Sequence, residues 1–120
     1  MEKVLGIGGM FFRAQDPEAL THWYTEHLGL DILETVWQQQ AGPTVFSPFK
    51  HNTEYFGRPQ QQWLINFRVA NLDAFVAQLK RSGIEVEQRP EEWDSEAGRF
   101  ARIHDPEGNP IELWEPATVG

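Results

Sequence analysis

Apolar residues crowd positions 4–14 and the run stops at Asp16-Pro17, the pattern of a buried strand ending at a turn. A helix is predicted next. Asp16 is placed to accept the free amides of a first turn and Pro17 suits the first helical position. Leu20, Trp23, Tyr24, His27 and Leu28 then recur at helical spacing until Gly29 ends the run. Strands are predicted over residues 31–38 and 43–49, before a polar loop over 50–61 that carries Tyr55-Phe56-Gly57-Arg58-Pro59. The same order then restarts. Residues 63–69 read as a strand, Asn71 as a helix cap, and Leu72, Phe75, Val76 and Leu79 as the apolar stripe of a helix ended by Gly83. Strands follow over 84–88, 99–104 and 110–114, the last two joined by the turn Asp105-Pro106-Glu107-Gly108-Asn109.

The repetition extends to the residues. Phe12-Arg13-Ala14 before the first helix aligns with Phe67-Arg68-Val69 before the second, and Ala19-Leu20 then falls on Ala74-Phe75. The expected architecture is one α+β domain over residues 1–120, built from two tandem units of strand, helix and three strands, near 1–60 and 61–120. A single unit cannot easily bury its own sheet. The two sheets are therefore expected to pair around shared interior space, within one chain or across a homodimer, and that space is the natural ligand site.

Composition narrows the partners. A chain of 120 residues with 40% hydrophobic and 12% aromatic residues is one globular domain in size and kind. A net charge of −8 disfavours nucleic acid and anionic membranes, and would tolerate a cationic small molecule. No cysteine is present, which removes disulfides, thiolate metal sites and cysteine nucleophiles. Without a leader pattern or a membrane-length apolar run, a cytoplasmic location is expected.

The strand over 6–14, the helix ending in His27-Leu28-Gly29-Leu30, and the run Asp105-Pro106-Glu107-Gly108-Asn109-Pro110-Ile111-Glu112-Leu113 resemble the vicinal oxygen chelate superfamily. That group includes glyoxalase I, bleomycin-resistance proteins and extradiol dioxygenases. The resemblance runs end to end and implies paired βαβββ units whose curved mixed sheets form a cleft. In metal-dependent members the ligands come from the first strand of each unit, from a late strand of the first, and from the Glu of the Ile-Glu-Leu segment. Carried onto this chain, two of those positions are Gly9 and Leu64, which offer no donor side chain, and the last is Glu112.

A catalytic divalent metal needs about three protein donors, so Glu112 would require completion by His51, Glu54 or His104. The expectation is accordingly no cofactor. Strand alternation places Met10, Phe12, Ile65, Phe67, Val69, Ile111 and Leu113 against the helices. It turns Phe11, Arg13, Asn66, Arg68, Glu112 and Trp114 to the cleft, joined by Phe100 and Arg102. These aromatic, amide, guanidinium and carboxylate groups suit a planar or aromatic molecule with polar substituents. Tyr55 and Phe56, on a loop with Gly and Pro, are placed to form a lid or a dimer contact.

Trp23 and Tyr24 are read as core packing, and the acidic run over residues 91–96 as a solvated loop. For Glu112 the plainer reading is an ion pair with Arg13, Arg68 or Arg102. Left unpaired in an apolar cleft, it would be a candidate general base or acid. Three functions follow. The first is a metal-free protein that binds a small aromatic or cationic molecule. The second is a metal-dependent lyase or dioxygenase, and the third a structural or interaction module whose cleft is filled by its own side chains.

Overall fold

A computed structural model describes residues 1–32 and 36–118. Helix α1 spans Pro17–Leu28, strand β1 Ile65–Arg68, α2 Leu72–Arg81, the short α3 Pro90–Trp93, β2 Gly98–His104 and β3 Pro110–Pro116. Both long helices start as their sequences predict. The Asp16 carboxylate accepts from the Ala19 amide at 3.1 Å, and the Asn71 side-chain oxygen from the Ala74 amide at 3.0 Å. Gly29 ends α1 with φ 75°, a left-handed conformation that a side chain would strain, and its amide donates to the Thr25 carbonyl. In α2 the cap is Ser82, one residue before the expected Gly83.

The three strands form one mixed sheet in the order β1-β3-β2, with β3 parallel to β1 and antiparallel to β2. One face carries Ala101, Ile103, Ile111 and Leu113, buried against Leu20, Tyr24, Leu72, Val76 and Leu79 of the helices, with Ile65, Phe67 and Val69 packed alongside. This is the helix-facing set that alternation predicts from β1 and β3. Burial of each such Leu or Ile contributes roughly 1.5–3 kcal/mol, so this layer is the principal source of stability.

The turn between β2 and β3 fastens α1 at two points. Asp105, 4% exposed, accepts from the Glu107 and Asn109 amides, from the Asn109 side chain, and from the Tyr24 hydroxyl at 2.8 Å. Glu107 points the other way and accepts from the amides of Gln15 at 2.6 Å and Asp16 at 3.0 Å. The Asp-Pro-Glu-Gly-Asn run is thus a clamp on the start and middle of the first helix. Burial of the Tyr24 phenol, reinforced by its bond to Asp105, raises it far above the ordinary tyrosine value.

Several predicted strands do not form. Residues 4–14 and 43–49 are largely exposed and join no ladder among the described residues; 36–38 do not either, and 33–35 of that predicted strand lie outside the described residues. An extended segment becomes a strand only when its N–H and C=O groups meet another edge, and these segments meet none among the described residues. Residues 84–88 reduce to one bridge between Glu87 and Arg102. Just before the acidic run, Pro90 opens a turn of helix that extends to Trp93, where a solvated loop is expected from the sequence. The radius of gyration, 15.1 Å, exceeds the about 13.6 Å expected of a compact chain this long, as the projecting apolar segments require.

Candidate functional site

The second face of the sheet carries the polar and aromatic residues. Pairing registers set them in two rows across the strands: Asn66, Glu112 and Arg102, and then Arg68, Trp114 and Phe100. Side chains of directly paired residues lie on the same side of a sheet, so each row is a contiguous strip. Six residues predicted to face a cleft therefore come together.

Glu112 anchors the first row. Its Oε1 accepts from Asn66 Nδ2 at 2.7 Å, and its Oε2 accepts a short hydrogen bond from the Tyr55 hydroxyl. Tyr55 reaches this point from the 50–61 loop. No ion pair joins Glu112 to Arg13, Arg68 or Arg102 among the described residues, so an amide and a phenol take the place of the expected guanidinium. Burial, then the bond to Glu112, pushes the Tyr55 phenol up to about 12, which keeps it protonated as the donor.

Arg102 lies beneath the same tyrosine. Its Nη1 donates to the Tyr55 carbonyl at 2.7 Å, and its guanidinium carbon sits 4.4 Å from the Tyr55 ring centre and 5.5 Å from that of Trp93. The residue is only 9% exposed, and its Nε and Nη2 are shut off from water without a hydrogen-bond partner among the described residues. Around Tyr55 the aromatic wall continues through Phe49, stacked at 5.8 Å, and Trp93, edge-on at 6.5 Å.

The second row is more structural. Trp114 is 7% exposed, donates from Nε1 to the Ala97 carbonyl and lies parallel to Phe100 at 6.2 Å. Arg68 Nη2 donates to the Gln40 carbonyl, and its guanidinium crosses Gly42 so closely that any Cβ there would collide with it. A side chain there would oblige the Arg68 guanidinium to shift.

Two predicted cleft residues are elsewhere. Phe11, 94% exposed, and Arg13 belong to the extended N-terminal segment, which joins no ladder among the described residues. Conversely, Trp93 and Phe49 join the site from segments that the sequence reads as a solvated loop and a strand. Trp93 had a signal: a tryptophan among Glu91, Glu92 and Asp94 is an expensive residue for a solvated loop.

The donors that the resemblance names are not assembled around one point among the described residues. Gly9 and Leu64 supply no donor side chain, both Glu112 oxygens already accept hydrogen bonds, and His51, Glu54 and His104 are exposed. Among the described residues no three His, Cys, Asp or Glu side chains gather around one point. A groove of about 280 Å³ opens elsewhere, between Trp23, Ile84 and His104. Its buried carboxylate, Asp105, is already occupied by the turn and Tyr24.

Comparison with known proteins agrees with this fold. The family described as Glyoxalase-like domain matches residues 9–114. No curated protein matches the chain. TnmS3, an antibiotic binding protein from Streptomyces sp. CB03234, has 21% sequence identity and a TM-score of 0.65, over 98% of this chain and all of that one. A glyoxalase/bleomycin resistance protein from the same organism has 24% identity and a TM-score of 0.52, over 84% of this chain and 92% of that one. No helix among the described residues is long and apolar enough to cross a membrane.

Proposed function

Because the chain belongs to the glyoxalase-like domain family, we propose that it is a small-molecule binding protein that holds an aromatic ligand on the polar face of its sheet, without a metal and without turning the ligand over. One observation carries this reading. Glu112, the residue that the resemblance makes a metal ligand, is bound by Tyr55 and Asn66 within a wall of aromatic rings. Such a wall suits the face of a planar molecule, and its few oriented polar groups suit fixing that molecule's edge. The description of TnmS3 as an antibiotic binding protein supports binding over chemistry.

The binding unit in this reading is a homodimer. Val4, Leu5, Phe11 and Phe46 are each more than four-fifths exposed, a density of apolar surface that isolated soluble chains rarely present. A second copy would cover these segments and offer edges to the strands predicted over 4–14 and 43–49, completing the two βαβββ units.

The test combines metal analysis of tag-free protein with a screen of aromatic compounds by tryptophan quenching and sedimentation. Saturable binding by a dimer, no stoichiometric metal and an unchanged ligand are the expected results. Metal retained near one per site and lost in Glu112→Gln, together with turnover, would replace this reading with a metal-dependent enzyme.

A further inference from the structure

Arg102 carries buried donors that its surroundings leave unsatisfied among the described residues. A guanidinium carries five N–H donors and cannot give up its charge inside a protein. Here Nη1 donates to the Tyr55 carbonyl, while Nε and Nη2 are buried with no acceptor among the described residues. Leaving such donors unpaired costs free energy, and buried polar groups in folded proteins overwhelmingly have partners. The unpaired atoms are also a matched set. Nε and Nη2 project two parallel N–H bonds along one side of the planar group, the fork that takes both oxygens of a carboxylate.

From this geometry we infer that the Nε/Nη2 edge of Arg102 is the anchor for a carboxylate on the bound ligand. The inference rests on the binding reading above and gives the ligand its chemical class, an aromatic carboxylate. The aromatic body would lie among Tyr55, Trp93 and Phe49, and the carboxylate would reach the fork once the 50–61 loop lifts. Among the described residues that loop is hydrogen-bonded to Arg102 and Glu112 through Tyr55, whose backbone carbonyl meets the one and whose hydroxyl meets the other, so a single residue acts as the latch.

Charge does not oppose this assignment. The net −8 of the chain is spread over a surface where charges more than about 8–10 Å apart are screened by salt, whereas the Arg102 charge is buried at the site. Glu112, directly opposite Arg102 in the sheet, is the competing acceptor. Its two oxygens are already engaged by Tyr55 and Asn66, which leaves the fork to an incoming group.

The test compares three probes of one shape by tryptophan quenching: 2-naphthoate, 2-naphthamide and 2-naphthylmethylammonium. The inference expects naphthoate to bind wild-type protein at least tenfold more tightly than naphthamide, with that preference abolished in Arg102→Met and reduced in Arg102→Lys, which keeps the charge but loses the fork. Far-ultraviolet circular dichroism and melting of each variant establish that it is folded, and the wild-type comparison needs no variant at all. Equal binding of naphthoate and naphthamide overturns the anchor while leaving the binding reading intact. So does a preference for the ammonium probe, which points to a cationic ligand. A naphthoate preference that survives in folded Arg102→Met also overturns it. Binding of none of the three overturns both readings.

Discussion

Replacing Tyr24 by Phe removes one hydroxyl and leaves the ring in place, which isolates the polar tie between α1 and the β2–β3 turn. The ring contacts, edge-on to Trp23 at 5.2 Å and to Phe67 at 6.3 Å, survive the change. What disappears is the 2.8 Å bond to Asp105 in a buried setting. A hydrogen bond to a charged group contributes roughly 1.5–3 kcal/mol. Asp105 keeps its bonds from Glu107, from the Asn109 amide and from the Asn109 side chain, so the expected loss lies at the low end, about 1.5 kcal/mol. With a urea dependence of about 2 kcal/mol per molar, typical of small domains, the midpoint should fall by about 0.7 M. Equilibrium unfolding followed by tryptophan fluorescence measures this. Both proteins must be at one concentration, because self-association would add to apparent stability. An unchanged slope with a midpoint shift under about 0.2 M would show that the tie carries no stability and refute the clamp assigned to the turn.

Truncating Leu113, 1% exposed at the centre of the helix-facing layer, to Ala should cost about 2–5 kcal/mol in the same unfolding experiment; a loss below about 1 kcal/mol would mean that the layer is loosely packed. Glu107→Gln keeps the shape but not the charge at the start of α1, and about 1 kcal/mol of stability should go with it, with little effect if the two amide bonds are absent in solution. The chain's two tyrosines are Tyr24 and Tyr55, and both are raised above the ordinary value of 10, so an absorbance titration of folded protein should show no tyrosinate at pH 10. The unfolded chain would lose those protons near pH 10, so the stability they represent is complete below pH 10. It declines as pH rises toward about 12, where Tyr55 titrates in the folded state. A folded protein that titrates one tyrosine at pH 10 would place Tyr55 in solvent rather than against Glu112.

What the sequence determined by itself is everything governed by neighbours along the chain. Both helices and their Asx caps follow from the spacing of Leu20 and Tyr24, of Leu72 and Leu79, and from Asp16 and Asn71, because a cap and a 3.6-residue stripe are local properties. Period-two alternation in 65–68 and 110–114 likewise settled which side chains share the face with Glu112, since β1 and β3 are paired and unbulged. At Phe11 and Arg13 the same rule has no ladder to act on among the described residues, because alternation assigns faces only once a segment is paired.

Only the tertiary structure decided what Glu112 and Arg102 do. Tyr55 is 57 residues from Glu112 and 47 from Arg102, and no local rule selects it over Phe56 as the residue that reaches the sheet. Trp93 joins the site because Pro90 starts a turn of helix that sets its ring within 5.5 Å of the Arg102 guanidinium. The unpaired edge of Arg102 is likewise invisible in one dimension, because satisfaction of a buried donor depends on every group packed around it.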